Sequence, residues 1–69
     1  MPAFRARSSD DARASARPVP EATHALEAAI LFAEAWPGSG ELRITVTDGQ
    51  TGHEQCFRID LEDHTVAPC

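Results

Sequence analysis

The chain has 69 residues, a formal net charge of −5 and six basic side chains, all of them arginine. This length supports one small domain and leaves little room for a deep catalytic cleft. The longest apolar run, residues 28–33, is too short to cross a bilayer, and no signal-peptide core follows the first arginines. We therefore expect a soluble cytoplasmic protein that has no membrane contact and keeps its thiols reduced.

The charge is divided unevenly along the chain, which bears on the choice of partner. Residues 1–17 carry four arginines and two aspartates, whereas residues 18–69 carry two arginines and nine acidic side chains. A folded part this acidic is repelled by phosphate backbones, so nucleic acid is an unfavourable partner. The balance favours a protein partner or a homodimer.

Residues 1–18 form an arginine-rich segment that has two interpretations. Small or apolar side chains alternate with arginines over residues 4–8, which suits a short edge strand. Ser8–Asp11 would then be a turn, and Ala12–Val19 a second short strand or coil. The alternative is a disordered arm, because serine, alanine, arginine and aspartate dominate the composition. In either case we expect the helix and the β-meander to occupy residues 19–69.

Pro20–Trp36 is predicted to be an amphipathic helix. Pro20 suits a first helical turn, where its missing N–H costs nothing, and the Pro-Gly-Ser-Gly run at 37–40 ends the helix. Trp36 is expected to anchor the core rather than bind a ligand, and His24 to be a solvated or half-buried side chain on the helix. One apolar stripe follows the helical period: Ala22, Leu26, Ala29, Ile30, Ala33 and Trp36.

Strands are predicted after the helix, where apolar and polar residues alternate. The alternation covers Glu41–Thr47 and Glu54–Leu61, with an aspartate- and glycine-containing turn between them. A second hairpin leads to a short strand at Thr65–Ala67. The expected fold is α+β, with one amphipathic helix packed on a three-stranded antiparallel meander and an N-terminal edge strand as an optional addition. The predicted core is Leu26, Ile30, Ala33, Trp36, Leu42, Ile44, Val46, Phe57, Ile59, Leu61 and Val66.

Four potential metal or redox ligands lie in the last part of the chain: His53, Cys56, His64 and Cys69. Their spacing, H-x2-C-x7-H-x4-C, suggests a zinc site. Strand parity weakens that interpretation, because Cys56 alternates with the inward-facing Phe57 and an extended x2 pair does not curl around a metal. We therefore predict no bound metal or cofactor and keep the four residues as weak metal candidates.

The register of the last hairpin decides whether the two cysteines meet. If Glu62-Asp63 is a two-residue turn, the numbers of paired residues sum to 125, and Cys56 then lies opposite Cys69 on the outer face. A wider turn over residues 60–64 would slip the register and separate them. A disulfide or redox pair is one alternative, and two inert packing residues are the other.

Four short segments carry a resemblance to known proteins: Phe32-Ala33-Glu34-Ala35-Trp36, Val46-Thr47-Asp48, Thr51-Gly52-His53-Glu54 and Cys56-Phe57-Arg58. On these segments, the stretch from about Leu26 to Cys69 resembles a small family of uncharacterised bacterial proteins, a domain of unknown function. The resemblance implies an α+β fold and transfers no functional residue.

The sequence contains no nucleophile elbow, phosphate loop or dinucleotide-binding motif. We therefore expect a small non-enzymatic interaction or regulatory protein, acting through the outer sheet face or an exposed edge strand, with strand addition as a route to a homodimer. One alternative is a metal- or thiol-redox module that uses Cys56 and Cys69 with His53 or His64. Another is an acidic inhibitor that mimics nucleic acid and occupies a nucleic-acid-binding protein.

Overall fold

The chain folds as one antiparallel sheet with a helix packed on one of its faces. The computed structural model describes residues 3–9 and 16–69. Their elements are β1 Phe4–Ser8, β2 Arg17–Val19, α1 Ala25–Glu34, β3 Glu41–Asp48, β4 Glu54–Asp60 and β5 Thr65–Pro68. The strand order is β2-β1-β3-β4-β5. The α+β prediction is therefore confirmed, whereas three strands were too few because the N-terminal residues add two.

The N-terminal strand lies inside the sheet and not at its edge. β1 pairs with β3 along its whole length, from Phe4 opposite Asp48 to Ser8 opposite Ile44, and β2 pairs with its other side. The alternation over residues 4–8 correctly indicated a strand, but the edge position is taken by β2. The predicted turn at Ser8–Asp11 and the start of the predicted strand at Ala12–Val19 fall partly outside the described residues.

The helix begins at Ala25, five residues later than predicted. His24 is its N-cap, and the His24 Nδ1 accepts a hydrogen bond from the Glu27 N–H at 3.2 Å. The Glu27 carboxylate in turn accepts from the Thr23 N–H at 2.7 Å. The pattern resembles a capping box, but the glutamate binds the N–H of the residue before the cap and not that of His24 itself. Pro20 therefore lies in the turn before the helix. Within the described ranges, no helix is long and apolar enough to cross a membrane.

The His24 cap can be tested by substitution. We expect His24→Ala to lower the free energy of unfolding by about 1 kcal/mol, because an N–H of the first turn loses its acceptor. His24→Asn should cost less, since asparagine supplies a side-chain oxygen at the same position. Urea unfolding followed by circular dichroism measures both. Equal losses for the two variants would show that the imidazole contributes packing and not a cap.

The core lies between α1 and the three central strands. The buried apolar residues are Phe4, Ala6, Val19, Ala22, Ala28, Ala29, Ala33, Leu42, Ile44, Val46 and Ile59. Phe57 and Leu61 are half-buried against this cluster. The predicted core is wrong at four positions, where large apolar side chains stay exposed by about a third or more: Leu26 42%, Ile30 38%, Trp36 37% and Val66 36%.

The helix faces the sheet through alanines, which explains most of these differences. Ala28, Ala29 and Ala33 are buried, and their small side chains let α1 approach the bulky Ile44 and Val46 of β3. Small residues opposite large ones fill the space between two layers efficiently. Because most of α1 is apolar, the helical period alone fitted more than one rotation about its axis, and the chosen rotation was wrong.

Candidate functional site

A disulfide joins β4 to the residue that follows β5. Cys56 and Cys69 are bonded, and their Cα atoms are 5.4 Å apart, which is an ordinary separation for a bridged pair. The Cys69 N–H donates to the Cys56 carbonyl oxygen at 3.2 Å, so the strand ladder continues as far as the bond. No cysteine in the described part of the chain is free.

In the hairpin of β4 and β5, the residue numbers of each cross-strand pair sum to 125. Ile59 lies opposite Val66, and Asp60 lies opposite Thr65. The turn itself is wider than the predicted two residues and covers 61–64. His64 closes it with a positive φ of 58°, and its N–H donates to the Asp60 carbonyl oxygen at 2.9 Å. The expectation that a wider turn would slip the register was therefore wrong.

The disulfide lies on the outer sheet face, away from the helix. Cys56 is half-buried opposite Thr45 on β3, whereas Cys69 is exposed. Ser9, directly after β1, lies beside Thr45 and Cys56, and its Oγ is 2.7 Å from the Thr45 Oγ1. The same Oγ is 3.9 Å from the Cys56 Sγ. One sulfur of the bond therefore has a hydroxyl neighbour, and the other belongs to an exposed residue.

Four arginines share this outer face with the disulfide. Arg5 and Arg7 on β1 lie opposite Thr47 and Thr45 of β3. Thr45 in turn lies opposite Cys56, so both arginines are on the same sheet face as Cys56. The other two, Arg43 on β3 and Arg58 on β4, lie directly opposite each other. The charge separation along the sequence, with a basic N-terminal segment and an acidic remainder, is therefore not kept on the surface. Arginines from both segments lie on one sheet face.

The arginines of this face are weakly neutralised. Arg7 lies 3.8 Å from the Glu54 carboxylate, and Arg43 lies 3.9 Å from that of Glu41. Both pairs are long and at least partly solvated, so they contribute little to stability. Arg58 makes no ion pair with any described residue. Two like charges directly opposite each other on a sheet repel, and the next pair on this face beside Arg43 and Arg58, Glu41 opposite Asp60, is acidic.

The histidines lie away from the disulfide. His53 is exposed just before β4, and His64 is exposed at the end of the turn that follows β4, so a strand roughly 20 Å long separates them. Among residues 3–9 and 16–69, no group of three histidine, cysteine or acidic side chains could hold a metal ion. The spacing that suggested a four-ligand site therefore does not bring its four residues together. His24, as described above, caps the helix.

An apolar groove lies on the opposite, helix side of the sheet. β5 packs against β4 but not against α1, so the helix leaves that end of the sheet uncovered. The groove between them has a volume of about 440 Å³. Its apolar walls include Ile30, Trp36 and Val66, and its polar lining includes Glu34 and His64.

Trp36 forms one wall of this groove, so its predicted role as a core anchor is wrong. It is 37% exposed, and its ring stacks on Phe32 with centroids 5.7 Å apart. The helix ends at Glu34, before the stripe could carry Trp36 onto the sheet. The stacking fixes the indole in place while leaving one side of it open to the groove.

The two sheet edges are poor templates for a further strand. β2 and β5 have three and four residues, and each contains a proline, Pro18 or Pro68. The backbone N–H and C=O groups of successive strand residues point to opposite sides of the strand. Because the Cys69 N–H points towards β4, the backbone of Pro68 faces the free edge, where proline has no N–H to donate. Short, proline-bearing edges of this kind resist pairing with another chain.

These features define a small α+β domain with one helix on a five-stranded antiparallel sheet and a last strand held by a disulfide. The chain belongs to a family of unknown function, DUF5961, whose family model matches residues 2–69. The match confirms the resemblance to a domain of unknown function and extends it from about Leu26–Cys69 to nearly the whole chain. No curated protein and no solved structure matches the chain.

Proposed function

We propose that this protein is a small non-enzymatic interaction or regulatory domain of the bacterial cytoplasm, and that it binds a partner protein in the groove between α1 and β5. One observation supports this most directly. Ile30, Trp36 and Val66 are each exposed by 36–38% and line a single groove. Clustered apolar side chains of this kind mark interaction sites, whereas scattered ones do not.

The charge around the groove indicates the chemistry of the partner. Glu34 belongs to the lining, and Glu62 and Asp63 are exposed in the adjoining turn. Among residues 3–9 and 16–69, no arginine lines the groove, and its one histidine is His64. A short amphipathic segment, with apolar side chains for the groove and lysine or arginine beside them, complements this surface. The volume of about 440 Å³ suits a few such side chains, since ligand pockets span roughly 300–1,000 Å³.

A matched pair of synthetic peptides tests the groove. Both carry the same three apolar residues, flanked by lysines in one peptide and by glutamates in the other. We expect the lysine peptide to bind more tightly and to shift the fluorescence of Trp36, the only tryptophan in the chain. Val66→Asp should weaken binding more than about tenfold, because a charge then occupies the apolar wall.

Leu26 provides the control for this experiment. It is exposed by 42% but does not line the groove, so Leu26→Asp should leave peptide binding unchanged. Equal effects of the two substitutions, or equal binding of the two peptides, would contradict the proposal. The non-enzymatic part of the proposal fails separately if the protein turns over a substrate and one polar substitution abolishes that turnover.

A second candidate function, a thiol-redox module, is favoured by the bond between Cys56 and Cys69. Disulfides in the cytoplasm are uncommon, and those that form there are mostly transient, catalytic or redox-sensing. Neither His53 nor His64 belongs to this candidate any longer, because both lie beyond the ends of β4. The acidic-mimic hypothesis stays a prediction, and the arginines of the outer face interrupt the uniform negative surface that it requires.

A further inference from the structure

We infer that the Cys56–Cys69 disulfide is the reactive centre of a site for anionic low-molecular-weight thiols of the glutathione class. The arginines of the outer sheet face would draw the thiol to the bond. This inference rests on the second candidate function, the thiol-redox module, and adds to it the class of co-reactant, the sulfur attacked and the residues that select the thiol.

Exposure decides which sulfur the incoming thiolate attacks. Thiol–disulfide exchange requires the nucleophile to reach a disulfide sulfur in line with the bond. Cys69 is exposed, whereas Cys56 is half-buried in the middle of the sheet between Thr45 and the final strand. The accessible sulfur is therefore that of Cys69, and Cys56 is the leaving group.

The surroundings of Cys56 suit a departing thiolate. The Ser9 hydroxyl, whose Oγ is 3.9 Å from the Cys56 Sγ, can donate a hydrogen bond to the sulfur as negative charge develops there. Arg58 is two positions along β4 on the same face, which places it about 7 Å away along the strand. Arg43 lies directly opposite Arg58. A hydroxyl donor and nearby positive charge both favour the thiolate over the thiol.

The arginine pair also explains why the co-reactant should be anionic. Arg43 and Arg58 face each other as like charges, an arrangement that an anion lying across both would relieve. Glutathione carries two carboxylates, and the guanidinium group binds carboxylates through paired hydrogen bonds. Within the described ranges, no acidic side chain forms an ion pair with Arg58.

The exchange balances without a metal or cofactor. The thiolate of the first glutathione attacks the Cys69 Sγ and forms a mixed disulfide, while the Sγ–Sγ bond breaks and its electron pair leaves on Cys56. Water protonates the Cys56 thiolate. A second glutathione thiolate attacks the glutathione sulfur of the mixed disulfide and releases Cys69 as a thiolate, which is also protonated. Two thiols are thus oxidised to one disulfide, and the protein gains two electrons and two protons.

The test compares three thiols on the oxidised, full-length protein. Glutathione is anionic, 2-mercaptoethanol is neutral and cysteamine is cationic. Rates are measured by rapid alkylation and mass spectrometry, and corrected for the thiolate fraction of each reagent. We expect glutathione to react about tenfold faster than cysteamine at low salt, and this preference to disappear near 1 M salt, where charges are screened within about 3 Å. The mixed disulfide should map to Cys69.

Matched arginine substitutions locate the selectivity. Arg58→Gln should lower the glutathione rate about threefold more than the 2-mercaptoethanol rate, as expected for one charge acting through water at about 7 Å. Arg17→Gln removes the same charge from a residue that pairs with Ala6, on the parity of the helix side, and should change neither rate. Ser9→Ala should slow all three thiols by a common factor, because it acts on the leaving group.

Two failures are distinguishable. Equal glutathione and cysteamine rates at low salt, or equal effects of Arg58→Gln and Arg17→Gln, would overturn the anionic-thiol site and leave the redox module standing. If none of the three thiols reduces the native protein, while the bond is reduced readily after denaturation, the redox module itself is wrong and the disulfide is structural.

Discussion

Replacing Ile44 with alanine should lower the free energy of unfolding by about 3 kcal/mol or more. Ile44 is fully buried on β3, the central strand of the sheet, beneath the alanine face of α1. Deleting its side-chain carbons loses their transfer free energy and leaves a cavity that small helix residues cannot fill. A domain of this size has a total stability of roughly 3–10 kcal/mol, so this one substitution should remove about a third of that stability or more.

Ile30→Ala is the matched control, since it makes the same chemical change at a residue that is 38% exposed. It should cost less than about 1 kcal/mol. The shift in the denaturant midpoint of each variant, with the disulfide intact, measures the difference. Similar costs at the two sites would mean that α1 does not cover β3 in the way described.

Removing the disulfide should have the second large effect. The bond joins residues that are 13 apart in sequence, and closing a loop of that length restricts the unfolded chain by about 3 kcal/mol in the chain-entropy account. We expect the Cys56→Ser, Cys69→Ser double variant to lose about that much stability. The comparison is between oxidised wild type, reduced wild type and the double variant.

The reductant supplies an internal control for this prediction. Reduced wild type and the double variant should have the same midpoint, and reductant should not change the double variant at all. Hydrogen exchange should quicken first at the amide of Cys69, whose partner is the Cys56 carbonyl, and not in β3. If oxidised and reduced wild type unfold at the same denaturant midpoint, the disulfide does not stabilise the fold.

The elements that local patterns describe well were predicted from the sequence. Alternation identified Glu41–Thr47 and Glu54–Leu61 within one residue of the observed strands, because one face of each strand is buried. The helix start was missed because histidine is seldom an N-cap and a proline four residues earlier offered a stronger signal. The rotation of the helix was missed because an alanine-rich segment has apolar residues on more than one face.

The candidate site shows the same division between local and distant pairing. The opposition of Cys56 and Cys69 followed from a short hairpin, where turn position and parity determine the register. The gathering of Arg5 and Arg7 with Arg43 and Arg58 depends on β1 pairing with β3, some 40 residues later in the chain. No local spacing reveals such a pairing, and so the sequence placed the first arginines on a separate arm.

β5 takes part in both of the surfaces described above. Val66 lines the groove on the helix side, while Cys69, just beyond the strand, is bonded on the outer side. Among the described elements, β5 contacts β4 alone. A partner that requires Val66 in place would bind the oxidised protein more tightly than the reduced one. Thermodynamic linkage then makes the effect reciprocal: the bound partner would shift the reduction equilibrium of the disulfide by the same factor, in favour of the oxidised form.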